Sequence, residues 1–409
     1  MATGQVSVME GSMAIAQAVK ACRPAVITAY PITPQTHIVE SLAQMSANGD
    51  LEAEYIRADS EFSAASIVAG ASATGVRTYT ASSSQGLMLM TEVIYYLAGA
   101  RLPVVFTGAN RQITAPIGLQ PDHQDTLSLR DAGMIELYVE DVQEAYDTHV
   151  QAFKIAEDHD VLLPIIVCVD GFVLTHVFEP VKIFEQAAVD AFLPPYQPLH
   201  YMTPEKPMVF GPISDDANTS EFRYLTQQAS LRAKNKIEAI AREYASVFGH
   251  YHGGLIDTYA VEDAELVLVA MGSTVGTLRE AVDVLRGEGI KVGLVKVRSF
   301  RPFPGEALRQ ALGHAGAVAV LDRAISLGFQ GVLATEVKAA LYDAPKDQRP
   351  LVLGMMAGFG GREVTLDSVR EIVNRSRRAL DAGRVSADEA QFMGLKPELL
   401  PAIVAGVAP

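Results

Sequence analysis

Pro31-Ile32-Thr33-Pro34 follows the apolar run AVITA and Tyr30, so the chain leaves a strand and at once encloses one threonine between prolines. Each proline sets φ at about −65° and removes a backbone donor. The residue before a proline is pushed toward extended geometry. Thr33 is therefore held with little freedom, its hydroxyl available to a ligand, although an ordinary strand-ending turn uses the same residue types. Glu61 opens SEFSAASIVAGASATG, a helix-like stretch so rich in Ala, Ser and Gly that another backbone can pack closely on it. A first-turn glutamate is stabilised by the helix dipole in any case. The alternative is a carboxylate in a low-dielectric cleft, where its hydrogen bond to a cofactor nitrogen is strengthened. Arg111 ends the run LPVVFTGANR. It is either a surface guanidinium at a strand end or a planar fork for a substrate carboxylate.

Other polar segments carry weaker signals. ASSSQG (81–86) contains Ser84 and Gln85 but lacks the glycine-flanked nucleophile turn of a serine hydrolase. PDHQD (121–125) has no metal-cage spacing and reads as a loop. MGSTVGT (271–277) enters a helix without G-x-G-x-x-G, which disfavours a nucleotide-binding dehydrogenase. Cys22 and Cys168 are too few for a zinc site or an iron–sulfur cluster, and Cys168 sits in an apolar run that suggests an inert thiol.

Those candidates need a scaffold, and the hydrophobic pattern supplies one. Strand-like runs at 25–30, 76–82, 102–109 and 161–169 alternate with helical periods at 35–47, 85–98 and 142–157. Ile38, Val39, Leu42 and Met45 form one face of the first helix. Such alternation means βαβ units and a parallel sheet covered on both faces, with ligands beyond the carboxyl ends of the strands. Residues 193–216 are broken by six prolines and read as an arm, and 221–248 as a polar helix bridging two domains. ELVLVAMG, KVGLVKVRSF, AVAVLDR and LVLGMMAG then repeat the strand role. The expected fold class is α/β, with two doubly wound parallel-sheet domains at 1–192 and 259–409 joined by an arm and linker helix at 193–258.

Bulk properties narrow the function classes. The chain carries 33 basic and 48 acidic side chains, a formal net charge of −15, and 49% hydrophobic residues. Large cores are expected, and nucleic acid or anionic membrane partners are not. The first residues lack a basic region followed by an apolar core, and no apolar run approaches the ~18 residues of a membrane helix. The expectation is a soluble, cytoplasmic protein.

Several motifs also carry a resemblance. AYPITPQT, DSEFSAA, TASSSQGLMLM, RLPVVFTGANR, DHQD and DGFVLTH occur in order, followed by VRSFRPFP and AVLDRAISLG. Together they resemble the alpha subunits of the multi-subunit pyruvate:ferredoxin oxidoreductases (pyruvate synthases), within the 2-oxoacid:ferredoxin oxidoreductase family. The resemblance implies a pyrimidine-type thiamine diphosphate domain followed by a transketolase C-terminal-like domain. It implies that Glu61 hydrogen-bonds the aminopyrimidine ring and favours the tautomer that deprotonates the thiazolium. Thr33 would lie on the substrate side, Arg111 at the substrate carboxylate, and Pro31, Ile32, Ser84 and Gln85 near the cofactor. Coenzyme A would take the acyl group and ferredoxin the electrons.

The sequence contains no GDG with a downstream Asn and no cysteine ladder. By the resemblance, magnesium and [4Fe-4S] clusters then lie on partner beta, gamma and delta subunits, the chain binds no metal of its own, and alone it is inactive. Threonine rather than arginine in the PITP loop favours pyruvate over oxalate, with a branched-chain 2-oxoacid left open. A non-catalytic assembly or electron-carrier subunit is the competing class.

Overall fold

The computed structural model describes residues 2–385 and 391–400. The first half of the chain runs β1 (Gly4–Glu10), α1 (Gly11–Ala21), β2 (Val26–Ala29), α2 (Thr36–Ala47), β3 (Glu54–Arg57) and α3 (Glu61–Ala73). It continues through β4 (Thr78–Ser82), α4 (Ser84–Ala100), β5 (Val105–Asn110), α5 (Gln124–Leu127), β6 (Ile135–Tyr138), α6 (Val142–Glu157) and β7 (Ile165–Asp170). After β8 (Phe178–Phe184), α7 (Gln186–Phe192) and the arm comes the long α8 (Thr219–Phe248). The second half is β9 (Ile256–Tyr259), β10 (Leu266–Ala270), α9 (Thr274–Gly287), β11 (Val292–Val297), β12 (Ser299–Arg301) and α10 (Gly305–Leu312). It ends with β13 (Ala317–Asp322), α11 (Val332–Tyr342), β14 (Leu351–Met356), α12 (Leu366–Ala382) and β15 (Gln391–Phe392).

The first sheet has the order β12-β6-β7-β5-β4-β2-β3, and the second β15-β14-β13-β10-β11-β9. Both are parallel except for antiparallel β12 and β9 at their edges. Along β10, Leu266, Leu268 and Ala270 enter an outer core with α9 and α12. Val267 and Val269 enter a middle core shared with α3, α4 and the first sheet. That period-two division is what a strand buried on both faces requires. Helices α1, α2, α6 and α8 close the other face of the first sheet.

Three details depart from the periodicity reading. The run 161–169 becomes strand only at Ile165, because the chain first turns through a buried Leu162 at φ 42°. The run KVGLVKVRSF is two strands in different sheets. Arg298 interrupts it, fully buried and hydrogen-bonded to Glu144, Thr148 and Gln151 of α6. Beyond it β12 crosses to pair with β6 of the first sheet. Helix α8 packs Glu238 against Gly254 of the following linker segment and brings Lys234 near Glu306 of α10. It also lays Ala229, Ala233, Ile237, Ile240, Tyr244 and Phe248 into the first core. A further ribbon of β1 and antiparallel β8 had no counterpart in that reading. The arm lies along its own chain, with Met202 N donating to Ala73 O and Tyr96 hydroxyl to Phe210 O. The final stretch 401–409 of the expected second domain is outside the described residues.

Candidate active site

Four strands of the first sheet deliver the candidate residues at one edge. β2 ends before Pro31–Pro34, β4 before Ser83–Gln85, β5 at Asn110 before Arg111, and β7 at Asp170. Glu61 is the first residue of α3, where Ser60 caps the helix by accepting from Ser63 N. The reason for its helical start is local: a capping serine and then an alanine-rich run with high helix propensity.

Glu61 is 8% exposed, and its side chain lies against Gly86. A Cβ at position 86 would fall 2.7 Å from Glu61 Oε1 and would also strike Ser82 Oγ. Only glycine leaves the carboxylate where it is. Ser82 Oγ is buried without a hydrogen-bond partner among the described residues, as are Gln35 Oε1 and Asn110 Oδ1. The hydroxyls of Thr28, Thr78 and Thr80 in the body of the same sheet are unpartnered too, so these three atoms are open hydrogen-bonding capacity at the edge rather than a mark of a ligand.

Thr33 and Arg111 are joined directly. Arg111 Nη1 donates to Thr33 O at 2.9 Å, and Nε donates to Gly118 O at 3.0 Å. The expected fork is therefore partly committed, with Nε and one N–H of Nη1 taken within the chain. Neither Nη2 nor the hydroxyl of exposed Thr33 has a partner among the described residues. Burial lowers the guanidinium from its ordinary value, and nearby Asp125 opposes that shift; an arginine stays charged through such changes.

The fixed points behind these groups were not singled out from the sequence. Asp125, fully buried, accepts from Ser84 N at 2.9 Å, Arg111 N at 3.0 Å, Asn110 Nδ2 at 2.8 Å and Thr126 N at 2.8 Å. It thereby ties the loops after β4 and β5 to α5. Ser84 sits at φ 49°, unusual for a residue with a Cβ. Its hydroxyl donates to Gln112 O at 2.7 Å and also contacts the neighbouring Gln85 side chain. Gln35 Nε2 donates to Tyr30 O at 2.8 Å, which anchors the start of the PITP loop. The DHQD segment is thus a buried scaffold rather than a simple surface loop.

Asp170 closes this edge against the second domain. Its Oδ1 accepts from His123 Nε2 at 2.9 Å, and its Oδ2 from Arg323 Nη1 at 2.7 Å and Ser273 N at 2.8 Å, with the Ser273 hydroxyl on the same oxygen. Burial alone would raise this carboxyl, but the Arg323 cation and the bonds from His123 and Ser273 override it and hold it well below its usual range. Gly272, at φ 69°, allows the approach, since a Cβ there would lie 2.8 Å from His123 Nε2. The next residue, Gly171, backs the loop itself: a Cβ there would lie 2.5 Å from Pro34 Cγ. The segment MGSTVGT therefore holds a carboxylate of the first domain through Ser273. Asp170 could have been found by the logic that selected Thr33, because it too ends a strand at the carboxyl edge. Cys22 and Cys168 are free and buried, and burial pushes both thiols upward.

Residues 17–242 match the family model of the thiamine diphosphate-binding region of pyruvate flavodoxin/ferredoxin oxidoreductases. Residues 264–369 match core domain II of pyruvate:ferredoxin oxidoreductase. Among solved structures, the fold is similar to a 2-oxoglutarate:ferredoxin oxidoreductase from Magnetococcus marinus, with TM-score 0.69 and 21% identity, over 92% of this chain and 65% of that one. A split-gene transketolase aligns with TM-score 0.55 and 15% identity over 92% of this chain and all of that one. These likenesses define an oxidoreductase-type assembly of a thiamine diphosphate-binding domain and a transketolase-like domain.

Sequence relatives narrow the class. The chain is 50% identical to pyruvate synthase subunit PorA of Methanosarcina barkeri over 96% of its length and 97% of the relative's. It is 47% identical to PorA of Methanothermobacter thermautotrophicus over 90% and 94%. Ketoisovalerate oxidoreductase subunit VorA of Pyrococcus horikoshii is 41% identical over 93% and 96%. The chain belongs to the pyruvate:ferredoxin oxidoreductase family.

Proposed function

We propose that the chain supplies the pyrimidine-side half of an active site that converts pyruvate and coenzyme A to acetyl-CoA and carbon dioxide, with the electrons passed to ferredoxin. The observation that carries this reading is the coupling at one sheet edge of Arg111 to the Thr33 backbone, beside Glu61 seated on Gly86. The residues fit thiamine diphosphate in one testable respect: an acceptor carboxylate stands beside a buried hydroxyl, Ser82 Oγ, whose hydrogen bonding is unmet. When bound, that cofactor supplies the nucleophilic carbon that adds to the 2-oxo group and the conjugated system that holds the electrons once carbon dioxide leaves.

The chain's own residues have separable tasks. Glu61 accepts a hydrogen bond at its carboxylate and holds the aminopyrimidine proton balance there. Pro31, Ile32, Ser84 and Gln85 shape the wall around the same ring. Arg111 Nη2, which is committed to neither Thr33 nor Gly118, binds the substrate carboxylate, and the Nη1 bond to Thr33 O sets the threonine hydroxyl relative to that anchor. Because Asp125, Gln35 and Asp170 fix these loops beforehand, little ordering entropy is lost on binding.

The diphosphate-bound magnesium and the [4Fe-4S] clusters belong to partner beta, gamma and delta subunits in this reading. The open edge supports it: Phe62 and Leu89 on α3 and α4 are 40% and 50% exposed beside the site, an apolar surface suited to burial by another subunit. The arm, with Val209 and Ile213 exposed, is a second place for a partner to pack. No described helix is long and apolar enough to cross a membrane, in keeping with a cytoplasmic complex. The test is anaerobic purification of the native assembly through a tag on this chain, followed by viologen reduction. Activity with pyruvate that requires coenzyme A supports the proposal. A cluster-containing complex that acts instead on 2-oxoisovalerate or oxalate removes pyruvate as the substrate.

A further inference from the structure

Far from the sheet edge, at the joint between the domains, three metal-ligating side chains converge. Asp147 of α6 is fully buried, and its Oδ2 meets His250 Nδ1 at 2.8 Å and His252 Nε2 at 2.7 Å. The two histidines lie two positions apart on the irregular segment that leads from α8 to β9, and both rings reach one oxygen. The other oxygen is already oriented, accepting from Tyr244 hydroxyl at 2.6 Å and Gln143 Nε2 at 3.1 Å. Hydrogen bonds of this kind are what position a ligating carboxylate.

We propose that Asp147, His250 and His252 bind one divalent transition-metal ion of the zinc type. One carboxylate and two imidazoles are a donor set that suits zinc, which takes nitrogen and oxygen ligands at about 2.0–2.2 Å. The three ligand atoms lie within 4.8 Å of one another. Tetrahedral ligand spacing is roughly 3.3 Å, so each nitrogen must open from the carboxylate oxygen by about half an ångström and the two nitrogens must close on each other from within 4.8 Å. Each imidazole nitrogen that faces Asp147 must be bare when it takes the ion, its proton moved to the other ring nitrogen or released.

The electrostatics suit a cation on the His252 side. Asp141 and Glu144 act on His252 together with Asp147. Of the nearby cations, Lys296 is bound to Glu144 at 2.6 Å and Arg298 to the same residue at 3.3 Å. The histidine side chains are 25% and 16% exposed, which leaves an entry path and room for a water as fourth ligand. The second group of this kind, Glu10, His37 and His176, is less enclosed, with the His37 side chain 48% exposed. Sequence spacing could not reveal the Asp147 site, because the aspartate precedes His250 by 103 positions.

The test uses the native assembly equilibrated with chelator-buffered Zn²⁺ alone, with zinc per protein measured by mass spectrometry. The expected result is about one zinc ion per chain more in the native assembly than in His250→Ala or His252→Ala. Equal zinc in all three, or none in the native assembly, overturns the proposal. Should a variant fail to assemble, modification of the native chain by diethylpyrocarbonate decides. Zinc must protect His250 and His252, and unchanged labelling of both overturns the site. Neither readout depends on which 2-oxoacid the enzyme uses.

Discussion

The two sheets end in opposite ways. At the carboxyl edge of the first, the Thr33 hydroxyl, Arg111 Nη2, Ser82 Oγ and Gln35 Oε1 have no partner among the described residues. At the carboxyl edge of the second, polar groups are bound within the chain. Asp322 accepts from Leu333 N and Ala334 N at 2.7 and 2.8 Å, and Ser273 and Arg323 hold Asp170. Two sheets of the same kind thus differ at their carboxyl edges: the first leaves these groups open, and the second turns Asp322, Ser273 and Arg323 inward. A parallel sheet offers a place for a site, but the loop residues decide whether there is one.

The strongest way to break this contrast is Glu61→Gln, which keeps the shape and removes the carboxylate. Turnover of the assembly is expected to fall by about three orders of magnitude, within the range for a positioned acid–base group. Native elution on size exclusion, with turnover unchanged, would return Glu61 to a helix-dipole role. Asp170→Ala comes next. It leaves Arg323 buried without its carboxylate, and unfolding free energy should drop by about 3 kcal/mol in a denaturant titration. A drop below half that would mean the latch between the domains is weak.

Arg111→Lys is smaller and more selective. A lysine cannot serve Thr33 O, Gly118 O and a substrate carboxylate together, so KM for pyruvate should rise by about tenfold, more than kcat falls. An unchanged KM would remove the carboxylate-anchor role.

The smallest effect concerns Asp322, which burial pushes up to about 7. The native state then holds a proton that the unfolded chain loses from about pH 4 upward. Stability from this group is present in acid and declines as pH climbs toward 7, with a slope of at most about 1.4 kcal/mol per pH unit. Asp322→Asn should flatten that slope in urea midpoints taken at pH 5, 6 and 7, with turnover per folded protein preserved. An equally steep profile in the variant would assign the slope to other groups.

What could be read from the chain was local. Ile38, Val39, Leu42 and Met45 share a face because the helical period brings them together, and all four are buried. Glu61 could be placed at a helix start from its alanine-rich continuation, and Thr33 from its prolines. What escaped was long-range. Asp125 looked like one polar residue in a loop, and its value lies in four donors from three segments. Asp170 and Arg323 meet across 153 positions, a pairing that no periodicity contains. The commitment of Arg111 Nε to Gly118 O likewise depends on how a loop folds back.

Strand β12 carries a consequence for how the gene can be cut. It belongs by position to the second half but completes the first sheet, covering β6 and the fully buried Glu136 beside Arg301. A fragment ending before Ser299 would bare the backbone edge of β6, a template for pairing with any passing strand. Splitting this polypeptide into two separately encoded pieces, or grafting its first half onto another enzyme, would therefore succeed only with a junction beyond Arg301.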